Sequence, residues 1–258
     1  MSQASDADPT LGVVGDDGSV AGACREAGVD TVAGTPETVV ETGLDAILTT
    51  GEGAFRAVAV RAPEVPLLPI DAGAGVRAVP AAAAGAAIEE VVAGEATLDT
   101  YPVLSIIVDG EPRSRAVYDV TAVTVEPAQI SEYRVTYAGE QVARFRADGV
   151  VAAPPAGTPD YARAAGGPVV PTGPSVVVVV PIAPFATTTD EWVLPVDDVA
   201  IEVLRGEAAV ELVVDGGRVG DLGVDTPVEL AVAHTIECYR AAASRSPFAT
   251  GGGESEKH

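Results

Sequence analysis

Lysine is almost missing from this sequence, and basic residues of any kind are scarce. Of the 15 basic residues only Lys257 is a lysine, against 38 Asp and Glu, which gives a formal net charge of −23. Since no basic face exists to neutralise phosphates, we expect no nucleic-acid partner. An acid excess with almost no lysine favours a surface adapted to molar salt, where repulsion is screened within about 3 Å. The composition therefore predicts a halophilic protein.

Cysteine and histidine are also rare, and long apolar runs are absent. Cys24 and Cys238 are too few for a disulfide framework and lack metal-ligand spacing, which fits a reducing cytoplasm. With His234 and His258 as the only histidines, neither a His-based triad nor a zinc site is expected, and no metal ligand is predicted. The start of the chain has no apolar signal core, and the most apolar run, 168–185, is interrupted by prolines. We expect a cytoplasmic protein with no secretory peptide and no membrane contact.

The order of apolar runs and turn residues predicts two domains. Strand-like runs alternate with helix-forming segments over 11–97, which favours a Rossmann-like parallel-sheet α/β domain. Short β-branched strands separated by turn residues follow over 98–229 and favour a β-sandwich. The stretch from Leu230 to Ala243 is compatible with strand or helix, and we expect the segment 230–247 to pack back on the first domain. The two ends, 1–10 and 248–258, are expected to be disordered.

One turn has the composition of a phosphate-binding loop. Thr50-Gly51-Glu52-Gly53 stands where a strand-like run ends and helix-forming sequence begins. Glycines let a backbone approach a ligand closely, and the N–H groups at a helix N-terminus favour an anion. Taken alone, such a turn is more often only a tight connection.

Three segments in this layout resemble NAD kinases, in the order and at roughly the spacing of that family. Where the family has Gly-Gly-Asp-Gly, this chain has Thr50-Gly51-Glu52-Gly53. Over 145–168 the chain matches the family without a gap, at Arg146-Ala-Asp-Gly149, Pro155, Gly157, Tyr161 and Ala165-Gly-Gly-Pro168. A third match is Pro181-Ile-Ala-Pro184 with the later Val193-Leu-Pro195. The resemblance extends over most of 11–230, and its most specific part is the gap-free segment.

The resemblance implies an α/β domain, a β-sandwich domain and a nucleotide cleft between them. Family members transfer a phosphoryl group from ATP, or from polyphosphate in some, to the adenosine ribose 2′-hydroxyl of NAD. They use Mg²⁺ or another divalent cation with ATP, and they assemble as homodimers or homotetramers. Carried over by position, Glu52 matches the general base, and Gly51, Gly53 and Arg56 match the phosphate and nucleotide contacts. The NAD contacts would be Tyr118, Asp119, Arg146, Asp148, Thr158, Asp160 and Tyr161.

Several positions depart from the family pattern. Glu52 is one methylene longer than the family's Asp, which displaces its carboxylate by roughly 1 Å. Tyr118-Asp119 stands where the family has Asn-Glu, and Pro154, Ala156 and Pro159 replace three threonines. These changes motivate an alternative, a catalytically weakened or inactive relative that binds a nucleotide as a regulator or partner.

Other interpretations also remain open at this stage. A lipid or sphingoid kinase is a third candidate, although Ala165-Gly-Gly-Pro168 and the lack of a basic membrane-facing patch argue against it. Taken outside the matched segment, Arg146 and Asp148 would be read as an ordinary surface ion pair, and Tyr161 as a core residue. The sequence does not decide between ATP and polyphosphate, NAD and NADH, or dimer and tetramer.

Overall fold

The computed structural model describes residues 9–15, 18–126, 129–186, 190–206 and 208–249. The two ends that the sequence predicts to be disordered, 1–10 and 248–258, lie largely outside these residues, so that expectation stays a prediction.

The described residues form four α-helices, three short helical turns and fifteen strands, numbered here in chain order. The helices are α1 (Ser19–Glu26), α2 (Pro36–Val40), α3 (Glu52–Ala59) and α4 (Ala84–Val92), with shorter turns at Ala81–Ala83, Pro155–Gly157 and Thr158–Ala162. The first strands are β1 (Thr10–Val14), β2 (Asp30–Ala33), β3 (Ala46–Thr50), β4 (Leu67–Ile70), β5 (Thr97–Val108), β6 (Glu111–Ala116), β7 (Val120–Thr124) and β8 (Ser131–Tyr137). The remaining strands are β9 (Glu140–Ala153), β10 (Val176–Pro184), β11 (Trp192–Pro195), β12 (Val199–Arg205), β13 (Val210–Val214), β14 (Gly217–Leu222) and β15 (Pro227–Arg240).

The first four strands form a parallel sheet in the order β4-β3-β1-β2. Parallel strands covered on both faces are rich in apolar residues, as β4 is throughout and β3 is in its first three residues. On one face, Val39 of α2 and Phe55 of α3 pack with Ile47 and Leu67 of the sheet. The helices α1 and α4 cover the other face, where Val20, Cys24 and Ile88 join a second apolar cluster. The sheet therefore lies between two helical layers.

The later strands are antiparallel and enclose an apolar core of their own. Pairing follows the order β14-β13-β7-β9-β8-β12-β15, with β10 also pairing β9 and β5 also pairing β15. Alternate residues of β8, such as Tyr133 and Val135, are buried in this core together with Val177 and Val179 of β10. The expected fold class, a parallel α/β region followed by a β-rich region, is confirmed.

Strand β15 joins the two regions. The sequence over Leu230–Ala243 is compatible with strand or helix, and the structure has a strand that pairs with β5 along nearly its whole length. The same strand pairs with β12 near its start and touches β4 at Cys238 and Leu67. Because β15 begins before residue 230, it runs across the expected domain boundary, and the boundaries themselves stay predictions.

Both cysteines are buried. Within the described ranges, no helix is both long and apolar enough to cross a membrane.

Candidate active site

The glycine turn connects the end of β3 to the first turn of α3. Gly51 has φ 84° and ψ 157°, a conformation that a residue with a Cβ atom rarely adopts. Its N–H donates to the Ile70 carbonyl at 2.8 Å, and its carbonyl accepts from the Phe55 N–H at 3.1 Å. The first N–H groups of any helix have no acceptor within the helix. In α3 no side chain at the N-cap position accepts from them either. These N–H groups are suited to contact an anion.

A cleft of about 390 Å³ opens beside this turn. Its walls come from both regions of the chain, namely Glu52, Gly53, Arg56, Tyr118, Asp119, Asp215 and Gly216. Three segments far apart in sequence therefore meet here: the start of α3, the residues that lead into β7, and the turn between β13 and β14.

Asp215 holds the backbone of the second segment in place. Its Oδ1 accepts from the N–H groups of Tyr118 at 2.7 Å and Asp119 at 3.0 Å, and its Oδ2 accepts from the Val117 N–H at 2.9 Å. Burial raises the pKa of the Asp215 carboxyl, while these three hydrogen bonds act to lower it. The carboxylate fixes where the Tyr118-Asp119 pair stands in the cleft.

Arg56 connects the helix to the same turn. Its Nη1 donates to the Asp215 carbonyl oxygen at 2.7 Å, across the cleft from α3. Its charge lowers the pKa of both Glu52 and Asp215. Arg56 therefore bridges the two walls and keeps a positive charge between their carboxylates.

Tyr118 is part of the cleft wall, and its hydroxyl forms a hydrogen bond with the backbone. The hydroxyl donates to the Ala72 carbonyl at 3.2 Å, and the ring lies 6.3 Å from that of Phe55. Burial, followed by the charges of Glu52 and Asp215, raises the pKa of the Tyr118 hydroxyl. Tyr118 is therefore a neutral wall residue at any ordinary pH.

Four carboxylates, which we call the acidic cluster, lie at or beside this cleft: Glu52, Asp119, Asp160 and Asp215. Burial raises the pKa of Glu52 first, then the charges of Asp160 and Asp215, against the opposing effect of Arg56. The pKa of Asp119 rises to about 6, mainly through burial and next through Asp215. A carboxylate with a raised pKa at the head of a phosphate-type turn is suited to accept a proton from a bound hydroxyl group.

Asp160 reaches the cluster because its loop packs closely on the cleft wall. A Cβ atom on Gly157 would lie 1.6 Å from the Tyr118 carbonyl oxygen, so only glycine permits this approach. The buried Thr158 hydroxyl donates to the Pro155 carbonyl at 3.0 Å and accepts from the Val170 N–H at 3.0 Å. The hydroxyl of Thr158 thus holds the loop, and Asp160 follows in a non-helical conformation of φ −100° and ψ −114°.

The structure does not place the other residues of the sequence-predicted set in this cleft. Arg146, on β9, has its guanidinium 5.6 Å from the centre of the exposed Phe185 ring. Asp148, two residues on, lies near enough to the Tyr133 hydroxyl to raise its pKa. The side chain of Tyr161 is 43% exposed. The proposed roles of these three residues in NAD binding remain predictions.

Sequence reasoning missed Asp215 and Gly216. They form a two-residue hairpin turn with φ 47° and 74°, which is the ordinary use of an Asp-Gly pair. Asp109-Gly110 makes the same kind of turn between β5 and β6, with φ 53° and 75°. Nothing local distinguishes the two turns, because only the topology brings Asp215 to the Tyr118 backbone.

Comparisons of the sequence with known proteins find relatives of one family. The model of the ATP-NAD kinase C-terminal domain matches residues 118–238. The NAD kinase of Methanosarcina barkeri is 30% identical over 227 residues, which cover 87% of this chain and 78% of that protein. The NAD kinase of Methanosarcina mazei is 33% identical over 132 residues, so the match spans 51% of this chain and 45% of that relative's length.

Two solved structures share the fold. A yeast NADH kinase complexed with NADH has a TM-score of 0.74 at 15% identity and covers 92% of this chain and 84% of its own. An NAD kinase from Archaeoglobus fulgidus in complex with ATP has a TM-score of 0.69 at 22% identity, with 90% of this chain and 93% of that chain covered.

Proposed function

The chain belongs to the NAD kinase family, and we propose that it transfers a phosphoryl group from ATP or polyphosphate to the adenosine ribose 2′-hydroxyl of NAD, giving NADP. The observation that carries this proposal is the position of Glu52. Its carboxylate has a raised pKa and shares one cleft with Arg56, Tyr118 and Asp119.

Glu52 is the general base in this proposal. It accepts the proton of the ribose 2′-hydroxyl while that oxygen bonds to the phosphorus of the donor's terminal phosphoryl group. The bond from that phosphorus to the bridging oxygen breaks, and ADP or the shortened phosphate chain leaves. Phosphoryl transfer needs little covalent help from protein, so the cleft acts chiefly by positioning and charge.

The Tyr118-Asp119 pair presents the acceptor. Asp119 accepts hydrogen bonds from ribose, and the ring of Tyr118 gives the sugar an apolar wall. Asp160 faces the same space from the loop that Thr158 holds in place. Arg146, Asp148 and Tyr161 lie away from this cleft, so they would reach NAD from a neighbouring subunit of a homodimer or homotetramer.

The donor phosphates meet the start of α3. The N–H groups of Glu52 and Gly53, in the first turn of α3, have no acceptor within the helix and would donate to an anion. Arg56 adds a positive charge at the same point and, as a guanidinium, can bind a phosphate through two N–H groups.

A divalent cation would bind in this cleft together with the phosphates of the donor. Among the described residues, no group of three His, Cys, Asp or Glu side chains is arranged to hold a metal ion. Mg²⁺ usually binds through substrate phosphates with one or two carboxylates, and Asp119 and Asp160 are available for that contact. When bound, the cation offsets negative charge on the phosphates.

The composition supports a halophilic, cytoplasmic protein, and the family supports a homo-oligomer. The alternative of an inactive relative rests on the departures at Glu52, Tyr118 and Ala156 alone, and no comparison favours it.

The test is NADP formation by the purified protein in molar KCl with NAD, Mg²⁺, and either ATP or polyphosphate. We expect NADP with at least one donor. Binding of NAD without product from either donor would favour the inactive relative. Absence of NAD binding would contradict the assignment of the cleft as the NAD site.

A further inference from the structure

A groove lined by arginines continues from the cleft along the surface. Arg56 and Asp215 line both the cleft and a neighbouring hollow of about 280 Å³, whose wall includes Ser114 and Arg115. Those two residues also line a third hollow of about 610 Å³, next to Arg113. Because consecutive hollows share wall residues, the three lie side by side along the surface. We call its far part, lined by Val60, Arg61, Arg113, Ser114 and Arg115, the arginine groove.

The edge strand β6 and the end of α3 build this groove. Pairing of β6 with β5 matches Ser114 to Ile106 and Pro112 to Ile107, which leaves Arg113 without an opposite residue. Such bulges turn a side chain away from its regular direction. Arg115 donates through Nη1 to the Val60 carbonyl, at the C-terminal end of α3. The strand therefore presents two guanidinium groups to one hollow.

Carboxylates offset only part of the charge of the arginine groove. In this chain of net charge −23, seven of the fourteen arginines form ion pairs among the described residues, and one of these pairs joins Arg61 of the groove to Glu37. In the part of the chain that the structure describes, no such pair involves Arg56, Arg113 or Arg115. The charge of Arg115 instead lowers the pKa of His234, after the larger effect of burial. Arg113 and Arg115 therefore give the groove positive charge that no ion pair among the described residues offsets.

We propose that the arginine groove binds a linear inorganic polyphosphate chain, holding the phosphates that extend beyond the one being transferred. Guanidinium groups bind phosphate through paired, charge-assisted hydrogen bonds, and the Ser114 hydroxyl is a further donor. The phosphate chain of ATP ends in a nucleoside after three phosphates, so it does not use the far part of the groove in this way. The transfer of a phosphoryl group from this chain rests on the proposed function, whereas the binding of polyphosphate to the groove does not depend on it.

The bonds that form and break in the transfer are the same as in the proposed function. The terminal phosphoryl group lies at Arg56 and Glu52, and its bond to the next phosphate breaks as its bond to the ribose oxygen forms. A polyphosphate shorter by one unit leaves along the groove, and Glu52 holds the proton.

The experiment compares Arg113→Gln, the double variant Arg113→Gln/Arg115→Gln, and the control Arg25→Gln. Arg25 is exposed on α1, outside the cleft and the groove, and its replacement removes the same charge. The single variant keeps the Arg115 hydrogen bond to Val60, which guards against local unfolding. Calorimetric titration with tripolyphosphate and with long-chain polyphosphate gives the affinities, at the lowest salt that preserves the fold.

We expect the wild type to bind long-chain polyphosphate more tightly than tripolyphosphate. The double variant should lose about tenfold in affinity for the long chain, the order expected from one charge-assisted contact. Arg113→Gln should lose less, and Arg25→Gln should match the wild type.

Two results would overturn the proposal: equal wild-type affinity for short and long chains, or a double variant that binds the long chain as Arg25→Gln does. A long-chain affinity that falls in the double variant, in a protein that makes no NADP from any donor, would support the groove and remove the proposed function. A single-stranded oligonucleotide that binds as tightly as polyphosphate, with the same loss in the double variant, would also contradict the assignment.

Discussion

The acidic cluster and the arginine groove lie next to each other on the surface and are built in different ways. The cluster takes one carboxylate from each of four elements that are far apart in sequence, and burial raises the pKa of each. The groove takes its charges from the short strand β6 and the end of α3, and Arg113 and Arg115 are exposed. Asp119 and Asp215 are partly buried, whereas Glu52 and Asp160 are exposed. A change at Asp119 or Asp215 should therefore alter stability and chemistry together, whereas a change in the groove should alter binding alone.

The largest expected effect is that of salt, which should change stability and polyphosphate affinity in opposite directions. Lowering KCl from 1 M to 0.1 M lengthens the screening distance from about 3 Å to about 10 Å, so repulsion among carboxylates grows. We expect Tm to fall by about 10 °C, which for a chain of this size corresponds to roughly 3–5 kcal/mol. Polyphosphate affinity should move in the opposite direction, because attraction is also less screened. A Tm from calorimetry that stays constant over this range would contradict the expectation.

Replacement of Asp215 tests whether one carboxylate supports the cleft wall. An amide in Asp215→Asn offers one acceptor oxygen where the carboxylate accepts three N–H groups, and its NH₂ faces a donor. We expect a loss of about 1–3 kcal/mol in the free energy of unfolding and a higher KM for NAD.

Asp109→Asn is the matched control for that change, because it alters an Asp-Gly turn of the same geometry whose side chain is exposed. Urea unfolding and NADP kinetics of both variants provide the comparison. Equal effects in the two turns would show that Asp215 has no special supporting role.

A smaller effect is expected from Asp119, with a defined dependence on pH. Its folded pKa of about 6 lies above the ordinary value of 3.8, so ionisation disfavours the folded state. That contribution to stability is present below pH 4 and is lost as the pH rises toward 6. Asp119→Asn should therefore be more stable than the wild type at pH 7, by about 1–2 kcal/mol.

The stability difference should disappear below pH 4, and NAD affinity should be lower in the variant at pH 7. Urea unfolding at several pH values checks the first point, with Asp109→Asn as an exposed control. A constant difference at all pH values would show that Asp119 does not titrate as described.

Local pattern predicted much of the fold because the strands of the first sheet are apolar runs bounded by turns. The glycine turn and α3 were predictable for the same reason. The segment that forms α1, β2 and α2 was not predicted, since β2 is wholly exposed and α2 has only five residues. The strand β15 was ambiguous because its burial alternates irregularly around the register shift at Val232 and His234.

The candidate site was predictable only where its residues are close in sequence. Glu52 and Arg56 follow the glycine turn, and Asp119 follows Tyr118, so a local match places them. Asp215 and the arginine groove depend on which strands become neighbours, and hairpin turns such as Asp109-Gly110 carry the same local signal. Long-range topology, which no short motif encodes, decides which of two similar turns enters the cleft.

The most direct test measures the rate of NADP formation by the wild type, Glu52→Gln and Glu52→Asp, with NAD affinity determined in the same samples. Removal of a general base typically costs about 10²–10⁴-fold in rate. The account predicts a loss of that order in Glu52→Gln with NAD affinity nearly unchanged, and a measurable change in kcat for Glu52→Asp, which moves the carboxylate by roughly 1 Å. An active wild type whose turnover is unaltered by both substitutions would contradict the account, because Glu52 would then not be the base.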